Sequence, residues 1–241
     1  MKTTILKTVA ILFLAILTTS CIKIGLNKIT GNKNVVTKNR KTHDNFTKIK
    51  TSNGLEVYIT QGKKTTIVVE ADENLHEIIQ TEIIGGVLRI YTDKNIGRAK
   101  SKKIYVTLPK IESIKAGSGS YVVSENTLKA TTFSAKTNSG AQMKLTVDVD
   151  VLISSSSSGS HLKLTGNANE YDASTSSGAS TKSYNLKSKE VTVSASSGAT
   201  IDVFATDAII ARASSGGDVD YKGNPTKVKI KKSSGGSVSS H

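Results

Sequence analysis

The sequence has no tryptophan, two prolines, one cysteine and only 5% aromatic residues in 241. A core without large rings has to be assembled from Ala, Val, Ile, Leu, Ser and Thr, which suits thin, regularly stacked layers better than a globular centre. The lone Cys21 excludes an intrachain disulfide, and one cysteine with four scattered histidines offers no zinc-ligand spacing. No P-loop, dinucleotide fingerprint or G-x-S-x-G elbow occurs. Acidic residues are also scarce, 19 against 33 Lys and Arg.

What is present begins with an export signal. Lys2 and Lys7 precede the apolar run "TVAILFLAILTT", too short for a comfortable membrane span, so residues 1–20 read as a signal peptide. The stretch "LTTSC" is similar to a bacterial lipobox, which makes Cys21 the predicted lipidation site and the membrane a partner through an N-terminal lipid anchor. Without Lys2 and Lys7 the chain carries 31 basic and 19 acidic residues, a formal +12. From Ile22 to Lys50 there are eight basic residues and one acid, Asp44. Residues 21–45 therefore read as a basic linker, either solvated or lying along an anionic leaflet at about 1 kcal/mol per cation.

The rest is organised by a repeat. Ser-Gly steps place Gly119, Gly140, Gly159, Gly178, Gly198, Gly216 and Gly235 at intervals of 18 to 21 residues, each preceded by Ser. A period near twenty marks a solenoid whose coils share one continuous core. Within a coil the pattern alternates. One and three residues after the Gly lie Ser120 and Val122, Ala141 and Met143, Ser160 and Leu162, Ala179 and Thr181, Ala199 and Ile201, Gly217 and Val219, all expected inside. Five residues before it lie Ile114, Ala135, Ser154, Ala173, Val193, Ala211 and Ile230; seven before lie Phe133, Leu152, Tyr171, Val191, Ile209 and Val228, again internal. The run Ser154–Ser158 is thus part of a coil, and each Ser-Gly step a corner where Gly supplies a backbone angle that Ser resists. The expected fold is all-β: a right-handed parallel β-helix of about 20-residue coils, the hand following from the crossover rule.

Domain boundaries follow: one domain over 46–241, with 46–110 as an irregular, sheet-rich N-terminal cap and first coil, and 111–241 as the Ser-Gly coils. "NFTKIKTSNGLEVYITQG" fits the coil template around Gly54, while "ADENLHEIIQTEI" reads as a short helix capped by Asp72 or Asn74. The C-terminal "KKSSGGSVSSH" contains no capping helix, so the last coil edge is a candidate for pairing with a second copy.

The phrases "GLEVYITQG" and "VEADENL", then "KKIYVTLPKIESIKAGSGS" and the repeated "SSGA" and "SSGG" coils, resemble the auto-transporter adhesin head domain called the GIN domain, from about Phe46 to Lys231. The resemblance implies a single β-helix-like domain on an envelope lipoprotein of Bacteroidetes-type bacteria, at the outer membrane with its face undetermined. It carries over no catalytic residues and no cofactor.

Parallel β-helices also carry polysaccharide lyases and hydrolases, whose chemistry needs paired carboxylates or a base beside a cation. The best cluster here is Asp202, Asp218 and Asp220, a weak acidic or cation site at most, with Lys182 one coil from Asp202 to compensate it. His161 near Ser158 and Ser160 reads as solvent-facing. The expected function is a non-catalytic adhesin or envelope-contact surface; a glycan-active enzyme and a self-associating structural protein are the alternatives. Export makes anionic envelope glycans the expected partners of the positive charge, and nucleic acid an unexpected one.

Overall fold

The computed structural model describes residues 28–42 and 44–241. The expected signal peptide and Cys21 lie outside these residues. Among the described residues there are nineteen strands, seventeen of them in one sheet that coils into a β-solenoid of about seven turns, its core a continuous column of small and branched side chains.

The N-terminal cap contains β1 (Lys28–Ile29), β2 (Val35–Arg40), β3 (Lys48–Thr51), β4 (Glu56–Gln61), β5 (Thr66–Asp72), β6 (Ile79–Ile84), β7 (Val87–Thr92), β8 (Asn95–Ile96) and β9 (Lys102–Leu108). Strands β3 and β4 are the two halves of a coil and pair in parallel with β7 and β9 on one side. On their other side they pair with β10 (Ser113–Ala116) and β11 (Tyr121–Ser124), which continue the stack. Antiparallel pairings of β5 with β9, β2 with β5 and β6 with β7 complete the cap.

Two expectations about the cap are corrected. The segment read as a helix holds one 3-10 turn, Glu73–Leu75, and then becomes β6. Ile79 to Ile84 find an antiparallel partner in β7, and a ladder of strand bonds outweighs a helical propensity of a few tenths of a kcal/mol per residue. Nor is the whole of 21–45 a linker, because β1 pairs with β8 and β2 with β5. The anchor is Asp72. It is fully buried and, instead of capping a helix, its carboxylate accepts bonds from the backbone N–H groups of Lys33, Lys100 and Ser101 at 2.9–3.2 Å. A Cβ on Gly31 would stand 2.0 Å from Asp72 Oδ2, so glycine is what fits.

The coils beyond the cap are β12 (Leu128–Thr137), β13 (Gln142–Ser156), β14 (His161–Thr175), β15 (Ser180–Ala195), β16 (Thr200–Ala213), β17 (Asp218–Lys222), β18 (Lys227–Lys232) and β19 (Ser237–Ser240), paired in parallel throughout. The residues expected inside are buried, except Val228 and Ile230, which are 48% and 43% exposed. They belong to β18, which pairs with β16 on one side and has no strand on the other among the described residues.

Each Ser-Gly corner is a tight turn closed by an i to i+3 bond, such as Ser120 N–H to Gly117 O at 3.1 Å. Both central residues are left-handed, Ser at φ 47–54° and Gly at 65–74°, the signature of a type I′ turn. Ser therefore takes the strained angle as well as Gly. What holds it there is the stack: the Gly N–H of each corner donates to the Ser carbonyl of the next, from Gly54 to Ser118 through Gly216 to Ser234. Asn53 and Gly54 form the first member of this series, Asn53 having φ 62°.

The serines and threonines facing inward find one another. Thr175 Oγ1 lies 2.8 Å from Thr181 Oγ1, which donates to Ser156 Oγ at 3.1 Å; Ser156 Oγ lies 2.9 Å from Thr137 Oγ1, to which Ser160 Oγ donates at 3.0 Å. Tyr171 fills the core opposite, its hydroxyl 3.0 Å from Ser154 Oγ, and burial pushes its pKa up to about 12.

Candidate functional site

In a parallel stack, residues of the same coil offset stand on adjacent strands about 4.8 Å apart. The outward positions therefore form columns along the solenoid axis, and three surfaces follow from them.

The column two residues into each post-corner strand runs from cation to anion. Lys144, Lys163 and Lys182 are successive partners, followed by Asp202 and Asp220. Asp218 stands beside them, opposite Thr200. The structure thus assembles all three expected carboxylates on one face. Partial burial raises the pKa of Asp202, with the charge of Asp220 adding to it and Lys182 opposing it. Burial, with Asp202, Asp220 and Asp218 nearby, pushes Tyr184 up to about 12, and the Lys222 ammonium sits 4.4 Å over its ring. Asp220 Oδ1 is 3.2 Å from His241 Nε2. Among the described residues no group of three or more His, Cys, Asp or Glu is placed to hold a metal ion. His161 points outward while Ser160 points inward to Thr137, so no catalytic pairing links them.

A second surface, which sequence reasoning did not single out, is a furrow of about 520 Å³. Its floor is Ala130, Val149, Ala168 and Ser188, and its banks are Lys129, Asp148, Asn167 and Lys187 on one side, Thr131, Asp150, Asn169 and Lys189 on the other. The banks are braced across coils by Lys129 with Asp148 at 3.6 Å and by Asn169 Nδ2 donating to Asp150 Oδ1 at 3.0 Å.

The third surface precedes the corner. Arg89 pairs with Lys50, Lys50 with Lys115, and Lys115 with Lys136, four exposed cations on consecutive strands. None of the four forms an ion pair among the described residues. Like charges on neighbouring strands oppose pairing, and cross-strand pair terms of this kind run at about 0.2–1 kcal/mol. The sequence signal exists, since Lys50, Lys115 and Lys136 each stand four residues before a corner Gly, but the cap separates the first two by 65 residues and hides the column.

A stack of parallel coils with columned polar faces defines a β-solenoid. The chain belongs to the family described as "Putative auto-transporter adhesin, head GIN domain", which matches residues 45–225. Solved structures share the fold. A "putative adhesin" from Bacteroides fragilis superposes with TM-score 0.82 at 23% identity, covering 88% of this chain and 100% of its own. One from Parabacteroides distasonis gives 0.72 at 18%, covering 89% and 100%. A "putative lipid binding protein" from the same species gives 0.70 at 18%, again over 89% and 100%. No curated protein matches.

Proposed function

We propose that this protein is a non-catalytic adhesion or envelope-contact module, exported, acylated at Cys21, and presenting the solenoid as a rigid surface at the cell envelope. Family membership supports the adhesion reading. The observation that carries it is the columned exterior: outward residues stand in register on successive strands, as Lys144, Lys163 and Lys182 do, so an extended partner meets a like contact several times. Weak contacts held at fixed spacing add up without a deep pocket. The Bacteroidetes origin of the superposed structures fits an envelope lipoprotein. Among the described residues no helix is long and apolar enough to cross a membrane, so the proposed attachment falls to the acylated N-terminus.

The test is protease shaving of intact cells with a cleavable periplasmic control, followed by binding of the purified full chain to whole cells. Digestion with the control intact, together with saturable cell binding, is the expected result. Protection until the outer membrane is permeabilised would replace adhesion with a periplasmic structural role.

A further inference from the structure

The Arg89, Lys50, Lys115 and Lys136 column is the feature least explained by folding. Its cations repel one another, none forms an ion pair, the one carboxylate in register with them is Glu82, opposite Arg89 on β6, and the solenoid would stack as well with neutral side chains there, as the same column shows further along. It continues through Ser155, Ser174 and Ser194, each the register partner of the last, and ends in Arg212 and Lys231. Over nine strands the column holds only cations and hydroxyls.

The column beside it, two residues closer to the corner, is also built of small hydrogen-bonding groups. Ser157, Ser176, Ser196 and Ser214 occupy it, each partly exposed, with Asn138 and Ser52 towards the cap. Their backbone N–H groups are spent on the preceding coil, as in Ser157 N–H to Thr137 O and Ser176 N–H to Ser156 O. The side-chain hydroxyls face outward, except that Ser52 turns to Asn53. Gly117 interrupts this column beside Lys115 and Asn138 stands beside Lys136, so the free hydroxyls begin where the lysines end; the cation line and the hydroxyl line follow one another along the axis, and four of the cations span about 14 Å.

We propose that this face binds a linear acidic polysaccharide lying along the solenoid axis. The carboxylates meet the ammonium and guanidinium groups of Arg89, Lys50, Lys115 and Lys136, and the sugar hydroxyls exchange hydrogen bonds with the serine column. A linear polymer with a carboxylate on each sugar can meet several of these cations at once, and such contacts add up along the axis. Bound in this way it removes the mutual repulsion of the column. The hydroxyl line favours a sugar polymer over an acyl lipid surface, which offers headgroup charge in a plane and no axial direction. This site names the partner of the adhesion surface proposed above and rests on that reading.

The experiment uses the full chain in detergent micelles and linear polygalacturonate as the probe, with its methyl-esterified form, anionic phospholipid vesicles and single-stranded DNA as comparisons. The site variant is Lys50→Gln/Lys115→Gln/Lys136→Gln. The control, Lys63→Gln/Lys64→Gln/Lys94→Gln, removes the same charge from exposed cap positions. Expected are polyuronate binding that weakens with salt, loss on esterification, at least a tenfold loss in the site variant and less than threefold in the control. Equal losses in both variants would reduce the effect to net charge and overturn the site. Vesicles or DNA bound as tightly as polyuronate, or no polyuronate binding at all, would overturn the ligand. Whole-cell binding by the same chain separates the readings: retained cell binding without polyuronate binding sinks this inference alone, and loss of both sinks the adhesion reading with it.

Discussion

Replacing Ser156 by Ala breaks the buried hydroxyl chain at its centre. Thr181 loses the acceptor of its hydroxyl and Thr137 loses one neighbour, while water cannot enter because Thr137, Ser156 and Thr181 are each at most 2% exposed. Thr181 keeps Thr175 and Thr137 keeps Ser160, so two bonds are lost, each worth about 0.5–1.5 kcal/mol net, and the single variant should lose about 1–3 kcal/mol. Removing every member is different. Thr137→Val, Ser156→Ala, Ser160→Ala, Thr175→Val and Thr181→Val together leave no hydroxyl stranded, and Ser157 N–H retains Thr137 O. The same columns already hold Ala116, Ala195 and Ala213, or Ala141, Ala179 and Ala199, in other coils. The fivefold variant should therefore lie within about 1 kcal/mol of the parent, since exchanging both partners for apolar groups of like shape is nearly neutral. Urea unfolding followed by two probes checks this, two because stacked repeats can unfold in parts. A fivefold variant less stable than Ser156→Ala would refute the reasoning.

Three further outcomes are expected. Burial raises the pKa of Asp72, but backbone bonds from Ser101, Lys100 and Lys33 outweigh it and leave it lowered. The stability it adds is present above the unfolded value of about 3.9 and is lost as the pH falls below it. Methyl NMR should then show Leu75 losing native shifts in acid before Leu164, and Asp72→Asn should flatten that response. His76 is 3% exposed, and burial lowers its pKa against the bond its Nε2 makes to Val36 O. The unfolded chain takes up a proton near pH 6.5 that the folded one refuses, so stability should fall as pH drops below about 6.5; a flat profile from pH 7 to 5 would contradict this. Gly159→Ala should cost about 1–2 kcal/mol, because its φ is +65° but no atom lies within 4 Å of the added carbon. Gly166→Ala should cost more than about 3 kcal/mol, its Cβ falling 1.9 Å from Val147 O; equal urea midpoints would refute the distinction.

The coils were legible because one constraint repeats. Small residues at fixed offsets from each Gly can satisfy a narrow core only as a stack, and Met143, Leu162, Thr181 and Ile201 occupy one inner column as the spacing implies. The cap was less legible because its pairings are unique. Nothing local tells Ile79–Ile84 that β7 will be its partner, or Asp72 that Lys33 will return to it across 39 residues. Val228 and Ile230 fit the inner pattern yet are exposed, since periodicity reports which way a side chain points and not whether another strand lies beyond it. The acidic residues were placed on one face correctly, because Asp202 and Asp220 share one offset in the alternation and Asp218 the adjacent outward one.

The corner series has a consequence for how such a molecule can change in length. Because each Gly N–H is matched to the Ser carbonyl one coil on, and to nothing particular within that coil, a whole coil is an interchangeable part. Excising or duplicating the segment between two successive corners would rejoin equivalent corner positions and alter the reach of the rod by a single strand spacing. The length of such a rod can thus change only in discrete steps of one coil.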